Sequence, residues 1–440
     1  MTGRRVLFVA PSAYVLGGVQ DWLDYCLPGL HERGWEPVLA LTQGSFHDVR
    51  NYLERHPFDP SVAVVCRTGT TEGRVLALME TMSTVRPDVV IQVNIADCYE
   101  AIRRLKLNGS LPSVRHIVSV HGLQADMMEH LRTDSDVVDG VIASNMLAVV
   151  AARAYLADER RVQYAPYGVP VPKNGFTDRR SASVLRLVYV GRLEQDQKRV
   201  FDLSKIVRGL LNAGIETELS IAGGGPDAEQ LQLAFRSDGV DHAVKQLGVL
   251  SPAELAEAYR NHDVLVICSS WETGPIVAWE AMSHGLPVLS SAYVGHLLEG
   301  ALADGLNCLL YPVGDTNAAV ACATRLVDPE VRAAVAEAGL ALVRQRYSRS
   351  ASITHWASAL DSICAIAPAV PRAERHRQPC DGGRLDRFLG QHRAELVRRA
   401  LFVRYQHAEP GGEWPHSYHM NVDQEAFLAR ASVLDRTNIQ

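Results

Sequence analysis

The chain has 440 residues, 47% hydrophobic and 21% charged, with a formal net charge of -6 at pH 7. That length suits two domains with an appendage, and the composition is globular rather than disordered or fibrous. The acidic balance gives no bulk attraction to nucleic acid or anionic lipid, so no nucleic-acid partner is expected. Eight cysteines are scattered without any C-x-x-C pair, which signals neither a zinc site nor a redox motif. Several lie in apolar runs and read as small core residues, in a reduced, cytoplasmic compartment.

The N-terminal "MTGRRVLFVAPS" carries charge but only a five-residue apolar run, too short for a signal peptide. No stretch approaches the ~18 uncharged apolar residues of a membrane span. The N-terminal helices also lack a Lys/Arg-rich amphipathic face, so nothing supports membrane association. From that first run onward, short Val-, Ile- and Leu-rich segments recur: "VLFVA", "PVLAL", "VAVVC", "DVVIQV", "HIVSV" and "GVIAS". After a polar stretch, "KNGFTDRRSAS", they resume as "RLVYV", "ELSIAG", "DVLVIC", "LPVLS" and "CLLY". They do not alternate, so they read as strands buried on both faces. Segments of helical spacing lie between them. Ser251-Pro252-Ala253-Glu254 is a start signal, with a capping Ser, Pro at the first helical position and Glu at the third. The expected fold is α/β: two facing doubly wound Rossmann-like domains with a cleft between them, over residues 1–175 and 176–365. Residues 371–440 hold eleven Arg and no Lys. There "LDRFLGQHRAELVRRALFVRY" reads as one amphipathic helix, either packed on the surface of the second domain or serving as a partner- or acceptor-binding extension.

Three features of the second half suit an anionic, hydroxyl-bearing ligand. In "VYVGRLEQDQKRV", Gly191-Arg192 follows a strand and Lys198 comes shortly after. Two cations beyond a strand end fit a multiply charged anion, although Glu194 and Asp196 equally suit a solvated loop. In "LSIAGGGPDAEQL", Gly223, Gly224 and Gly225 follow a strand and open a helix, so the backbone can approach a ligand closely; such turns are common. The third feature is "SSWETGPIVAWEAMSHGLPV". Gly274 and Pro275 start a helix, and Gly285 and Pro287 end it near residue 284. Its first-turn amides make an anion site, with Glu272 at the mouth and Glu280 about one and a half turns in. Glu280 lies in an apolar run where an unpaired carboxylate is costly. A pair of ligand hydroxyls would satisfy it; a surface position or a structural ion pair is the plainer alternative.

On these motifs the second half resembles the nucleotide-binding domain of the retaining glycosyltransferases of family four, the "group 1" family with the GT-B fold. "VGRL" with Lys198, "IAGGGP", "LGVLSPAELAEAYRNHDVLVICS", the glutamate pair and "EAMSHGLPVLSS" come in family order over residues 185–330. In the first half, "LFVAPSAYVLGGVQDWL", "VSVHG" and "YAPYGVPVP" resemble the acceptor domain more loosely, and the likeness ends near residue 365. The resemblance implies roles. Arg192 and Lys198 neutralise the donor diphosphate, Glu280 binds ribose hydroxyls, and Glu272 contacts the transferred sugar. The amides at Gly274, Ile276 and Val277 lie near sugar and phosphate, and Gly224 belongs to the same site. Gly17 and Gly18 leave room for the diphosphate, and His121 lies near the donor sugar. Two departures stand out: Thr273 makes Glu-Thr-Gly-Pro of the usual Glu-Gly-x-Pro, and Val294-Gly295 replaces a Gly-Gly pair.

The expected activity is transfer of a sugar from a nucleoside diphosphate sugar, with a UDP-sugar favoured, to an acceptor hydroxyl with retention. Polysaccharide, glycolipid or natural-product glycoside synthesis is the setting expected. No cofactor and no metal are expected, since no D-x-D motif lies near the site. The acceptor itself is not legible. A nucleotide-sugar epimerase or phosphorylase on the same fold, or a non-catalytic subunit of an assembly, are the alternatives.

Overall fold

The computed structural model describes residues 4–12, 18–44, 48–156, 158–172, 184–371, 383–405, 414 and 422–437. Its strands form two all-parallel sheets. The first contains β1 (Arg4–Pro11), β2 (Trp35–Gln43), β3 (Ser61–Val65), β4 (Val89–Val93), β5 (Arg115–Val120), β6 (Gly140–Ala143) and β7 (Val162–Tyr164). The second contains β8 (Leu185–Val190), β9 (Thr217–Ala222), β10 (Val244–Gly248), β11 (Val264–Ile267), β12 (Val288–Ser291) and β13 (Leu309–Tyr311). Strand order is β3-β2-β1-β4-β5-β6-β7 in one and β10-β9-β8-β11-β12-β13 in the other. Both are the doubly wound order, with the chain reversing direction between β1 and β4 and between β8 and β11.

The eleven apolar runs all fall on strands; β4 and β11 have every residue buried on both faces, whereas the edge strand β3 leaves Ala63 and Val65 exposed. Two strands lack such a run. β10, "VKQLG", is an edge strand with three exposed residues, so it tolerates the adjacent polar pair Lys245 and Gln246. β7, "VQY", spans three residues at the opposite edge of the other sheet. Helix Pro252–Asn261 starts as its sequence predicts, with a capping box between Ser251 and Glu254.

The chain divides into two compact units that are discontinuous in sequence. The first comprises Met1–Ser144, Ala148–Ala165 and Ile353–Leu428; the second comprises Asn145–Leu147, Pro166–Ser352 and Ala429–Gln440. Helix Arg349–Ala365, expected within the second domain, therefore gives most of its length to the first unit. The expected linker, residues 173–183, lies outside the described residues.

The tail differs from the single helix expected of it and from the expected packing on the second domain. Gly390, at φ 76, breaks the anticipated single helix into Arg384–Leu389 and Gln391–Leu401. These helices group with the first unit, not on the surface of the second. Buried Glu395 accepts hydrogen bonds from the Thr68 and Thr70 hydroxyls at 2.6 and 2.5 Å. His392 meets Glu72 at 2.9 Å, and the Tyr405 amide donates to the Thr68 carbonyl at 2.7 Å. The sequence between the two helices and Gln424 lies outside the described residues, apart from residues 402–405, 414, 422 and 423.

Candidate active site

In the second unit the candidate residues emerge from the carboxyl ends of β8 and β11, the adjacent strands at the switch point. Beyond β8 the chain turns through Gly191, Arg192 and Leu193. The three glycines beyond β9 hold that turn. A Cβ on Gly223, at φ +139, would meet the Gly191 carbonyl oxygen at 1.9 Å, and one on Gly225 would meet the Leu193 oxygen at 2.3 Å. The close approach expected of this triplet is thus made, at two of its members, to the protein's own chain. Gly224 is the open member, with only Val249 Cγ2 near, at 3.9 Å; its carbonyl accepts the Leu193 amide at 2.9 Å.

Gln197, buried in the midst of "EQDQKR", joins the two strand ends. Its Oε1 accepts from Arg192 Nη2 at 3.3 Å, its Nε2 donates to the Trp271 carbonyl at 3.1 Å, and its carbonyl accepts the Ser270 amide at 2.8 Å. A solvated loop does not make these bonds. Arg192 itself is 58% exposed and pairs with Glu194 at 2.6 Å.

Lys198 Nζ donates to Glu272 Oε1 at 2.7 Å, and the Ser269 hydroxyl donates to the same oxygen at 2.5 Å. Glu272 is 7% exposed, so Lys198 supplies the counter-charge that its burial demands. The Glu272 backbone is held as well: its amide donates to the Val294 carbonyl at 3.3 Å, and the Val294 amide donates to the Ser270 carbonyl at 2.9 Å.

Thr273 is half-buried and Gly274 adopts φ +97, a conformation that a side chain at this position would strain. The helix then runs Ile276–Ser283, inside the expected span, with Gly285 in the left-handed conformation just past its end. The Ile276 and Val277 amides belong to its first turn, where the helix offers no internal acceptor. Trp279 stacks on Tyr347 at 4.0 Å and anchors the apolar face. Glu280 is half-buried and accepts from the Tyr259 hydroxyl at 2.9 Å. Burial, then the Glu280 charge, raises the Tyr259 phenol well above its usual range, so it remains a donor. Tyr259, Ser269 and Gln197 were not picked out from sequence. Each is a polar residue of ordinary type, and only the fold shows which polar neighbour it serves.

His121 and Gly18 belong to the first unit. His121 follows β5 and is buried against Trp22, ring centroids 4.6 Å apart, and Trp356, 6.5 Å apart. Burial pushes its pKa down to about 3, so the imidazole is neutral across the physiological range. Gly18 begins helix Gly18–His31. Gly17 lies outside the described residues.

A pair of doubly wound parallel sheets is the architecture of the GT-B fold, shared with solved glycosyltransferase structures. Residues 185–328 match the family model described as "Glycosyl transferases group 1". Over 252 residues the chain is 29% identical to lipopolysaccharide 1,6-galactosyltransferase of Salmonella typhimurium, covering 56% of this chain and 67% of that protein. Glycogen synthase of Mycobacterium tuberculosis is 31% identical over 195 residues, 44% of each chain. Among solved structures, a lipopolysaccharide outer core galactosyltransferase, WaaB in apo form, shares the fold at a TM-score of 0.65 and 19% identity, over 81% of this chain and 99% of that one. Anabaena HepE in complex with UDP and glucose gives 0.65 and 15%, over 82% and 100%. At such identities the structural likeness speaks for the fold alone. Among the described residues no helix is long and apolar enough to cross a membrane.

Proposed function

We propose that this chain is a retaining glycosyltransferase that moves a sugar from a nucleoside diphosphate sugar, with a UDP-sugar favoured, to a hydroxyl of a glycan, lipid-linked sugar or small-molecule acceptor. The Lys198–Glu272 pair carries the reading: a cation and a carboxylate 2.7 Å apart beside the start of helix Ile276–Ser283. Phosphate is a stronger partner for Lys198 than a carboxylate shared with Ser269, because it brings more negative charge and more acceptor oxygens. Donor binding then draws Lys198 to the diphosphate and frees Glu272 to accept from sugar hydroxyls. Arg192, more than half exposed, completes the neutralisation of the leaving group with the Ile276 and Val277 amides. Glu280 accepts the ribose hydroxyls while Tyr259 fixes its orientation.

Chemistry then requires little beyond positioning and charge. The anomeric C–O bond to the diphosphate breaks with its electron pair leaving on phosphate. The acceptor oxygen bonds to the same face of the anomeric carbon, and its proton passes to a phosphate oxygen. The neutral His121 serves as a hydrogen-bonding group near the donor sugar rather than as a cation. The two cations meet the charge demand for which other enzymes use a metal. HepE, which shares the fold, has been solved with UDP and with UDP-glucose, ligands of the class proposed here, and the relatives similar in sequence include lipopolysaccharide 1,6-galactosyltransferases.

A thermal-shift series with UDP, GDP and ADP and their hexose conjugates tests the reading. A nucleotide that binds the folded state raises the melting temperature by mass action. UDP is expected to give the largest shift, and no shift from any nucleotide overturns the proposal.

A further inference from the structure

The tail's final helix, Gln424–Thr437, ends in the second unit beside the Glu272 loop. Its Asp435 is 3% exposed, and both carboxylate oxygens are used. Oδ2 accepts the Gly295 amide at 2.8 Å and Oδ1 accepts the Leu298 amide at 2.9 Å. The residue thus caps the short helix His296–Glu299 with a side chain more than 130 residues away in sequence. Neither residue of the pair preceding that helix, Val294-Gly295, carries a side-chain cap.

Gly295 in turn touches the site. It adopts φ +107, and a Cβ there would stand 3.0 Å from the Glu272 carbonyl oxygen. Val294, one residue earlier, holds the Glu272 amide and is itself held by Ser270. Asp435 and Glu272 therefore contact the same short turn, one through the Gly295 amide and one through Val294. The far end of that turn is fixed separately: Glu299 accepts from Arg346 Nη2 at 2.9 Å and from the Tyr347 hydroxyl at 2.7 Å. Buried Tyr293 senses the same arrangement, since burial first and then the charges of Glu272 and Glu299, with Asp435 further down, push its phenol up.

We propose that Asp435 is a positioning residue for the donor site, acting through Val294-Gly295 on the Glu272 backbone. This rests on the donor reading above. The carboxylate supplies from the tail the side-chain cap that the turn itself lacks. Charge-assisted bonds to two buried amides hold a backbone more firmly than neutral ones.

The test uses the full chain and two readouts, hydrogen exchange of peptides covering residues 269–274 and 294–299, and UDP affinity by calorimetry. Asp435→Ala is expected to speed exchange in both peptides and to weaken UDP binding roughly tenfold, the loss of charge-assisted bonds to buried donors. Asp435→Asn keeps one acceptor oxygen and is expected to fall between, with the fold retained. Gln424→Ala serves as the control. Gln424 sits at the other end of the helix, where it accepts the Ala125 amide at 2.9 Å and donates to the Leu123 carbonyl at 3.0 Å, within the first unit. Its loss should alter exchange near Leu123 and leave both second-unit peptides and UDP affinity unchanged. Wild-type exchange at 269–274 in both Asp435 variants overturns the inference, as does equal loosening there by Gln424→Ala. Loosened exchange in a chain whose wild type binds no UDP overturns the donor reading instead.

Discussion

The Glu272 loop and the His121 loop both leave the carboxyl end of a buried parallel strand, yet they are built on opposite principles. Around Glu272 the hydrogen bonds come from Lys198 and Ser269 to its carboxylate and run from its amide to the Val294 carbonyl, with Gln197 holding the adjoining backbone. Around His121 the neighbours on view are indole rings, Trp22 and Trp356. A charged group can be exchanged for ligand charge when a ligand arrives, so the first loop is suited to switching partners. An imidazole between indoles has its protonation state set by burial, so the second is suited to holding one state. The same strand-end geometry therefore yields an adaptable site or a locked one, depending on what surrounds the loop.

The sharpest way to break this contrast is to remove the lock. Trp356 is 1% exposed, and Trp356→Ala is expected to cost about 3–5 kcal/mol through lost burial and the void left behind. A urea midpoint unchanged from wild type would show that the rings are not a structural cage. On the other side, Lys198→Ala removes the cation that both accompanies Glu272 and, in the proposed reaction, meets the diphosphate. UDP release from a UDP-hexose should fall on the order of 10²–10³-fold, the usual cost of one charge-stabilising group. A loss below about threefold would place Lys198 in a purely structural pair.

The pH dependence sharpens the comparison further. The His121 pKa is about 3 in the folded chain, against an ordinary value near 6.5. Above about pH 6.5 the group is neutral in both states and costs nothing. As pH falls toward 3 the unfolded chain takes up the proton and the folded chain does not, so stability is lost over that window. Wild type should therefore lose up to about 2.5 kcal/mol more than His121→Asn between pH 7 and pH 4.5. Equal losses, read from urea midpoints at the two pH values, would mean that the imidazole is not shielded.

Much of the second half was legible because its signals are local. The Ser251 capping box, the Gly274–Gly285 limits of one helix and the apolar runs of β8, β9, β11, β12 and β13 all follow from short-range sterics and burial. The tail was not legible. "LDRFLGQHRAELVRRALFVRY" has helical spacing throughout, but one left-handed glycine splits it, and Glu395 docks it on Thr68 and Thr70. No periodicity reveals which of two units a helix will join, because that depends on a polar partner more than 300 residues away in sequence.

By itself the sequence determined the alternation of strand and helix and the doubly wound class, and it marked Arg192, Lys198, Glu272 and Glu280 as candidates in the second half. Each follows from burial of strands on both faces or from the order of short motifs. Only the tertiary structure decided that Gly223 and Gly225 brace the Arg192 turn, that Lys198 and Glu272 are each other's partners, and that Asp435 closes the turn beneath them. The reason is physical: a charge or a backbone amide takes whatever partner the fold brings within about 3 Å, and residues far apart in sequence meet there only once the sheets have formed.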